Sequence, residues 1–164
     1  MFGLGMLVQA LAMNVLGGDD SYVSRGAMLK CSQGTDPGVL NLPIDHGVYV
    51  HDPEKPLLNV ADAICAPNGN ISSEGAFGFC KVTGSLCKPV INFGTKWSNG
   101  QTNVLIDGEH ALLTRSTLPC ACQPVVTDEY VFYGGTTTAS YTKVSKPSSD
   151  LSGGVITIET NGQD

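Results

Sequence analysis

The sequence predicts an all-β domain that carries one N-terminal helix. Three observations lead there. Short β-branched runs recur between turn residues from Tyr22 onward. Twenty Gly and nine Pro stand among 164 residues, so the chain turns often. No helix-length periodic segment follows residue 20, apart from a weak one around Asn59–Ile64.

Residues 1–17 read as a short helix, with Leu4, Leu7, Val8, Leu11 and Val15 on one face. Gln9 and Asn14 are almost its only polar positions, so such a helix must be covered by something. Gly17-Gly18 stops it and Asp19-Asp20 is a hinge, which makes 1–20 one unit and 21–164 the β domain. Strands are expected at Gly47–Val50, Asn103–Ile106 and Val155–Ile158, with a hairpin turn at Asp107-Gly108. Val48–Cys65 and Val104–Cys120 look like two copies of one hairpin, each with a Leu-Leu pair and a closing Cys. Residues 123–152 differ in texture and read as an inserted hairpin, Tyr130–Tyr133 against Ala139–Val144, with a loop.

Composition removes several classes of function. Nine basic residues stand against 15 acidic ones, a net charge of −6 that repels a phosphate backbone. No nucleic-acid partner is expected. No apolar run reaches the roughly 20 residues that a bilayer span needs. The apolar start has no Lys or Arg before it, so it does not read as a classical signal peptide.

The six cysteines, at 31, 65, 80, 87, 120 and 122, contain no Cys-x-x-Cys pair. Three readings stand side by side. Four thiolates can close a tetrahedral zinc site, six can form three disulfides, and free Cys can be buried as a small apolar residue.

Val23–Gly34 (VSRGAMLKCSQG) is followed in order by Asn70-Ile71 with Phe77–Cys80, Cys87-Lys-Pro89, Trp97 with Asn103–Gly108, Ala111–Cys120 and Gly153–Ile158. Taken in that order, these segments resemble the PAAR-like spike-tip family of contractile injection machines such as the type VI secretion system. The resemblance implies a small cone of short β-hairpins, a β-helical tip. It implies one copy capping a trimeric β-helical spike protein, and no enzymatic activity. It implies a metal site on Cys31, Cys80, Cys87 and Cys120, holding Zn²⁺ or Fe. Cys65 and Cys122 fall outside the matched positions, Cys122 being the reserve candidate. The family setting also implies assembly in the bacterial cytoplasm followed by injection into a target cell. The N-terminal helix would serve an effector, cargo or chaperone.

Other residues read as ordinary. His46, His51 and His110 sit in turns and are expected to be solvated. Ser32 and Ser116 lack a Gly-x-Ser-x-Gly elbow and a triad. Trp97 reads as a core or interface aromatic. Two alternatives are an exported disulfide-bonded β binding module and a small Zn-dependent hydrolase, which would need an open coordination position.

Overall fold

The structure is a computed structural model, and it describes residues 20–135 and 139–163. Ten strands occur among the described residues: β1 Met28–Cys31, β2 Gly38–Val39, β3 Phe79–Cys80, β4 Ser85–Leu86, β5 Gln101–Ile106, β6 Glu109–Ala111, β7 Thr117–Cys120, β8 Val126–Gly134, β9 Ala139–Pro147 and β10 Gly154–Ile158. They form one four-stranded sheet in the order β2-β1-β10-β7 and three two-stranded sheets.

This corrects the expected cone of short hairpins with an N-terminal helix. Among the described residues there is no helix, and the largest sheet joins strands far apart in sequence. β10 enters between β1 and β7 because its alternate side chains Ile156 and Ile158 face the core. That insertion takes sequence-distant pairing, not stacked local hairpins. The helix expected at 1–17 lies outside the described residues. The weak helical pattern at Asn59–Ile64 is a turn. Asn59 Oδ1 accepts the Ala61 N–H at 2.9 Å, and Asp62 Oδ2 accepts the Asn59 N–H at 2.8 Å. Such local side-chain bonds compete with a helix.

The strand expected at Gly47–Val50 is likewise absent, and of the hairpin expected at 48–65 only isolated bridges form. Its proposed copy does fold as a hairpin, β5 against β6. The turn there suits Asp107-Gly108, with φ of 52° and 82°, since both types tolerate the left-handed region.

The isolated bridges have an order of their own. Val23 N–H donates to Leu112 O (3.1 Å), Leu112 N–H to Leu58 O (3.0 Å), and Leu58 N–H to Val23 O (3.0 Å). The three bonds close a ring. The flanking residues repeat the pattern: Ser24 bridges Leu57, Asn59 bridges Ala111, and Leu113 bridges Tyr22. In each case the residue after one ring member meets the residue before the next. One chain thus builds a closed, threefold-like junction from three different segments.

The junction joins two apolar cores. Val23, Leu58 and Leu112 belong to the larger one, with Leu29, Phe77, Trp97, Leu118 and Ile156. Tyr22, Leu57, Ala111 and Leu113 belong to the smaller one, with Val48, Val104 and Ile106. All three ring side chains are fully buried. Residues 21–22 and 161–163 are fastened to each other beside it, with Asn161 Nδ2 donating to Ser21 Oγ at 3.1 Å and Gln163 Nε2 to Tyr22 O at 2.6 Å.

Candidate metal centre

Five cysteines reach the larger core from separate elements. Cys31 ends β1, Cys80 lies in β3, Cys87 follows β4, Cys120 ends β7, and Cys122 lies two residues further on. β10 holds two of these segments one on each side. Cys31 pairs with Ile156, and Cys120 with Gly154. A Cβ on Gly154 would stand 3.1 Å from Cys31 Sγ, so a larger residue there would press on that thiol. Cys80 bridges Gly34, which ties β3 to the turn after β1. All five are buried, and all six cysteines of the chain are free thiols.

Backbone donors distinguish four of them. Cys31 Sγ accepts from the N–H groups of Gln33 and Gly34. Cys80 Sγ accepts from those of Val82 and Thr83 and from the Thr83 hydroxyl. Cys87 Sγ accepts from the Phe77 N–H, and Cys120 Sγ from the Val90 N–H at 3.3 Å. An N–H aimed at sulfur favours the thiolate over the thiol. Cys122 bonds instead to the thiols of Cys80 and Cys120. Half-buried Cys65 donates to the Pro89 carbonyl at 3.4 Å.

The acidities follow from these surroundings. Burial pushes the Cys31 thiol up, and the neighbouring thiolates of Cys120 and Cys80 add to that. Burial with thiolate neighbours pushes Cys87 up to about 11 and Cys122 up to about 12. Burial also opposes the Cys80 thiolate, but its three Val82 and Thr83 donors and the Cys122 thiol outweigh it, so its value is lowered.

The donor chemistry suits a soft divalent ion. Several buried sulfurs come from distant segments, and four carry N–H donors of the kind that stabilises a coordinated thiolate. As the side chains stand, no three His, Cys, Asp or Glu donors among the described residues form a metal-binding group. The Cys122 thiol instead bonds to those of Cys80 and Cys120. The four thiols that carry N–H donors, Cys31, Cys80, Cys87 and Cys120, are the set that the resemblance assigns to an ion, whose chemistry there would be a closed structural cross-link.

A second polar cluster lies outside these thiols. His46 is not solvated as expected from its turn. Its Nε2 lies 2.9 Å from Asp62 Oδ2 and its Nδ1 lies 3.2 Å from Asp107 Oδ2, with the imidazole only 12% exposed. Burial pushes the Asp62 carboxyl up, against the pull of the Asn59 N–H and of His46. A cavity of about 640 Å³ opens beside it, lined by Leu42, Ile44, Ile64 and Pro67. Nothing in the local sequence around His46 signals this, because its partners lie 16 and 61 residues away. Trp97 is a core residue, its Nε1–H donating to Asp62 O at 2.9 Å. The Ser32 and Ser116 hydroxyls accept backbone N–H groups at 2.9 and 3.3 Å, so both act as turn fasteners.

Fold and site together define an all-β domain with a buried thiol cluster and a threefold-like internal junction. The chain belongs to the family described as a domain of unknown function, DUF4280, whose model matches residues 23–128. That span includes all six cysteines and all three ring segments. The search of curated proteins and the search of solved structures found no match. Among the described residues no helix is long and apolar enough to cross a membrane.

Proposed function

We propose that this chain is a non-enzymatic tip protein of a bacterial contractile injection apparatus, in the manner of PAAR-like proteins. One copy caps the blunt end of a trimeric β spike. Zn²⁺, or Fe in its place, held by Cys31, Cys80, Cys87 and Cys120, ties together the segments of a domain with a modest core. The protein is assembled in the bacterial cytoplasm and leaves with the spike, and residues 4–16 serve cargo or a chaperone.

The observation that carries this reading is the ring of Val23, Leu58 and Leu112 with its three flanking bridges. A single chain that caps a trimer has to meet three equivalent edges with non-identical sequence. A junction in which three segments follow one pairing rule supports such a match. The N–H donors on the four matched thiols support the metal part independently.

The test is reconstitution with a trimeric β spike, with native mass spectrometry of the complex. One copy per trimer is expected, and three copies per trimer would overturn the geometry. Metal analysis of the reduced protein tests the centre separately. Stoichiometric metal with free thiols after denaturation is expected. Three bonded Cys pairs without metal would favour an exported binding module.

A further inference from the structure

The cavity beside His46 has no part in the thiol cluster or the ring, and its walls are held by their own bonds. Asn70, 3% exposed, ties one wall to the other. Its Nδ2 donates to Asn41 O and its Oδ1 accepts the Ile64 N–H, both at 3.0 Å. The Ala66 N–H donates to Ile71 O and the Gly69 N–H to Ala66 O, both at 3.1 Å, which closes the loop after Ile64. The cavity is therefore formed before anything enters it, and about 640 Å³ is the size of a ligand site.

Its lining is of two kinds. Leu42, Pro43, Ile44, Ile64 and Pro67 make an apolar wall, and Ile44 and Ile64 stand 79% and 63% exposed. The rest is acidic. Asp62 and Asp107 hold His46 between them, and two carboxylates outnumber one imidazole in either form of the ring. Among the described residues no Lys or Arg lines the cavity. The Asp107 side chain is 73% exposed and meets His46 through Oδ2, which leaves Oδ1 to a ligand.

We propose that this cavity binds an extended segment of a partner protein, one that presents Lys or Arg next to aliphatic residues. The cation meets Asp107 beside Asp62, and the stem of its side chain lies along the apolar wall. The aliphatic neighbours cover Ile44 and Ile64. Three other occupants match less of the lining. A free amine answers the charge and leaves both isoleucines wet. Residues 1–18 of this chain are apolar but hold no Lys or Arg. A second copy brings its own net charge of −6 to an acidic site.

The test is selection of immobilised random octapeptides by labelled full-length protein, followed by calorimetric titration of a selected peptide. Peptides with Lys or Arg beside Ile, Leu or Val are expected. Asp107→Asn should bind the selected peptide about tenfold more weakly, the worth of one charge-assisted contact. Ile44→Ser should weaken it by a smaller factor. Asn tolerates the φ of 52° at position 107 and Ile44 is exposed, so both variants keep the fold, which an unchanged melting temperature verifies. No selection, selection of acidic or purely apolar peptides, or equal binding by both variants would overturn the proposal. So would butylamine binding as tightly as the selected peptide, which would make this an amine site. A synthetic peptide of residues 1–18 that displaces the selected peptide at equal affinity would give the cavity to the chain's own segment instead. None of these readouts depends on the metal or on the spike, so their failure leaves that reading standing.

Discussion

Leu112 donates its backbone N–H to the carbonyl of Leu58 at 3.0 Å, although the two residues are 54 positions apart. That bond is one side of the ring closed by Val23. The ring side chains are fully buried, so truncating one leaves a cavity at the point where three segments cross. Leu58→Ala and Leu112→Ala should each cost about 2–5 kcal/mol in urea unfolding. Their double variant should deviate from additivity by more than about 0.5 kcal/mol, because they share one junction. Leu105→Ala, at a site 60% exposed, should change stability by no more than about 0.5 kcal/mol. Equal losses at all three positions would mean that the ring has no special role.

The four N–H-supported thiols should behave as a set. Cys31→Ser, Cys80→Ser, Cys87→Ser and Cys120→Ser should each lower metal content and melting temperature, since binding free energy here is folding free energy. Cys65→Ser should do neither, because its half-buried thiol bonds only to carbonyls. Full metal occupancy in a Cys31→Ser, Cys80→Ser double variant would remove these residues from the site.

In the reduced, metal-free protein the raised thiols set a pH limit. Cys87 and Cys122 titrate near 11 and 12 when folded, against an ordinary value of 9.0. The folded state therefore holds more protons than the unfolded state between those values, and stability falls as pH rises there. The contribution is fully present below about pH 9 and is lost as pH climbs through the folded values. Thermal melts of chelator-treated protein in reductant should decline above about pH 9, where the raised thiols act alone, the lowered Cys80 working in the opposite sense only below that pH. A level profile to pH 12 would show that these thiols are not buried together.

Local chemistry was legible and long-range pairing was not. The β5–β6 turn could be read because Asp107-Gly108 tolerates positive φ whatever surrounds it. The final strand and the Tyr130–Val144 hairpin could be read from β-branched and aromatic runs beside Gly. Val48–Val50 has the same local pattern yet forms no strand. The Val48 carbonyl finds its partner in the Leu57 N–H, and no neighbouring strand extends that contact. The placing of β10 between β1 and β7 depends on pairing with strands far away in sequence, which no local window contains. The contact of Cys122 with Cys80 is of the same kind, because the two thiols belong to segments far apart in sequence.

Among the described residues, the β8–β9 hairpin is loosely tied to the rest. Nine residue pairs run from Val126–Pro147 to Gly134–Ala139, and apart from Val131 and Val144 the described side chains in it are exposed. Its internal supports are the Phe132–Tyr141 ring contact at 5.1 Å and the Lys143–Asp128 and Lys146–Glu129 ion pairs, both 2.9 Å. Exposed pairs of this kind are each worth about 0–1 kcal/mol. The base is fastened separately. Ser148 Oγ donates to Val82 O at 2.7 Å and Ser149 Oγ to the same oxygen at 2.8 Å, while Ser148 N–H donates to Val125 O at 2.8 Å. Replacing residues 127–146 by a short Asn-Gly turn keeps that base and removes almost no core area. The shortened protein should retain metal content and melt within a few degrees of the full chain, as expected for a change of about 0.5 kcal/mol or less. It should also be less prone to associate, because Tyr130, Phe132, Tyr133 and Tyr141 leave the surface with the hairpin. A large drop in melting temperature would show that the arm supports the thiol cluster through its base at Val82, two residues from Cys80.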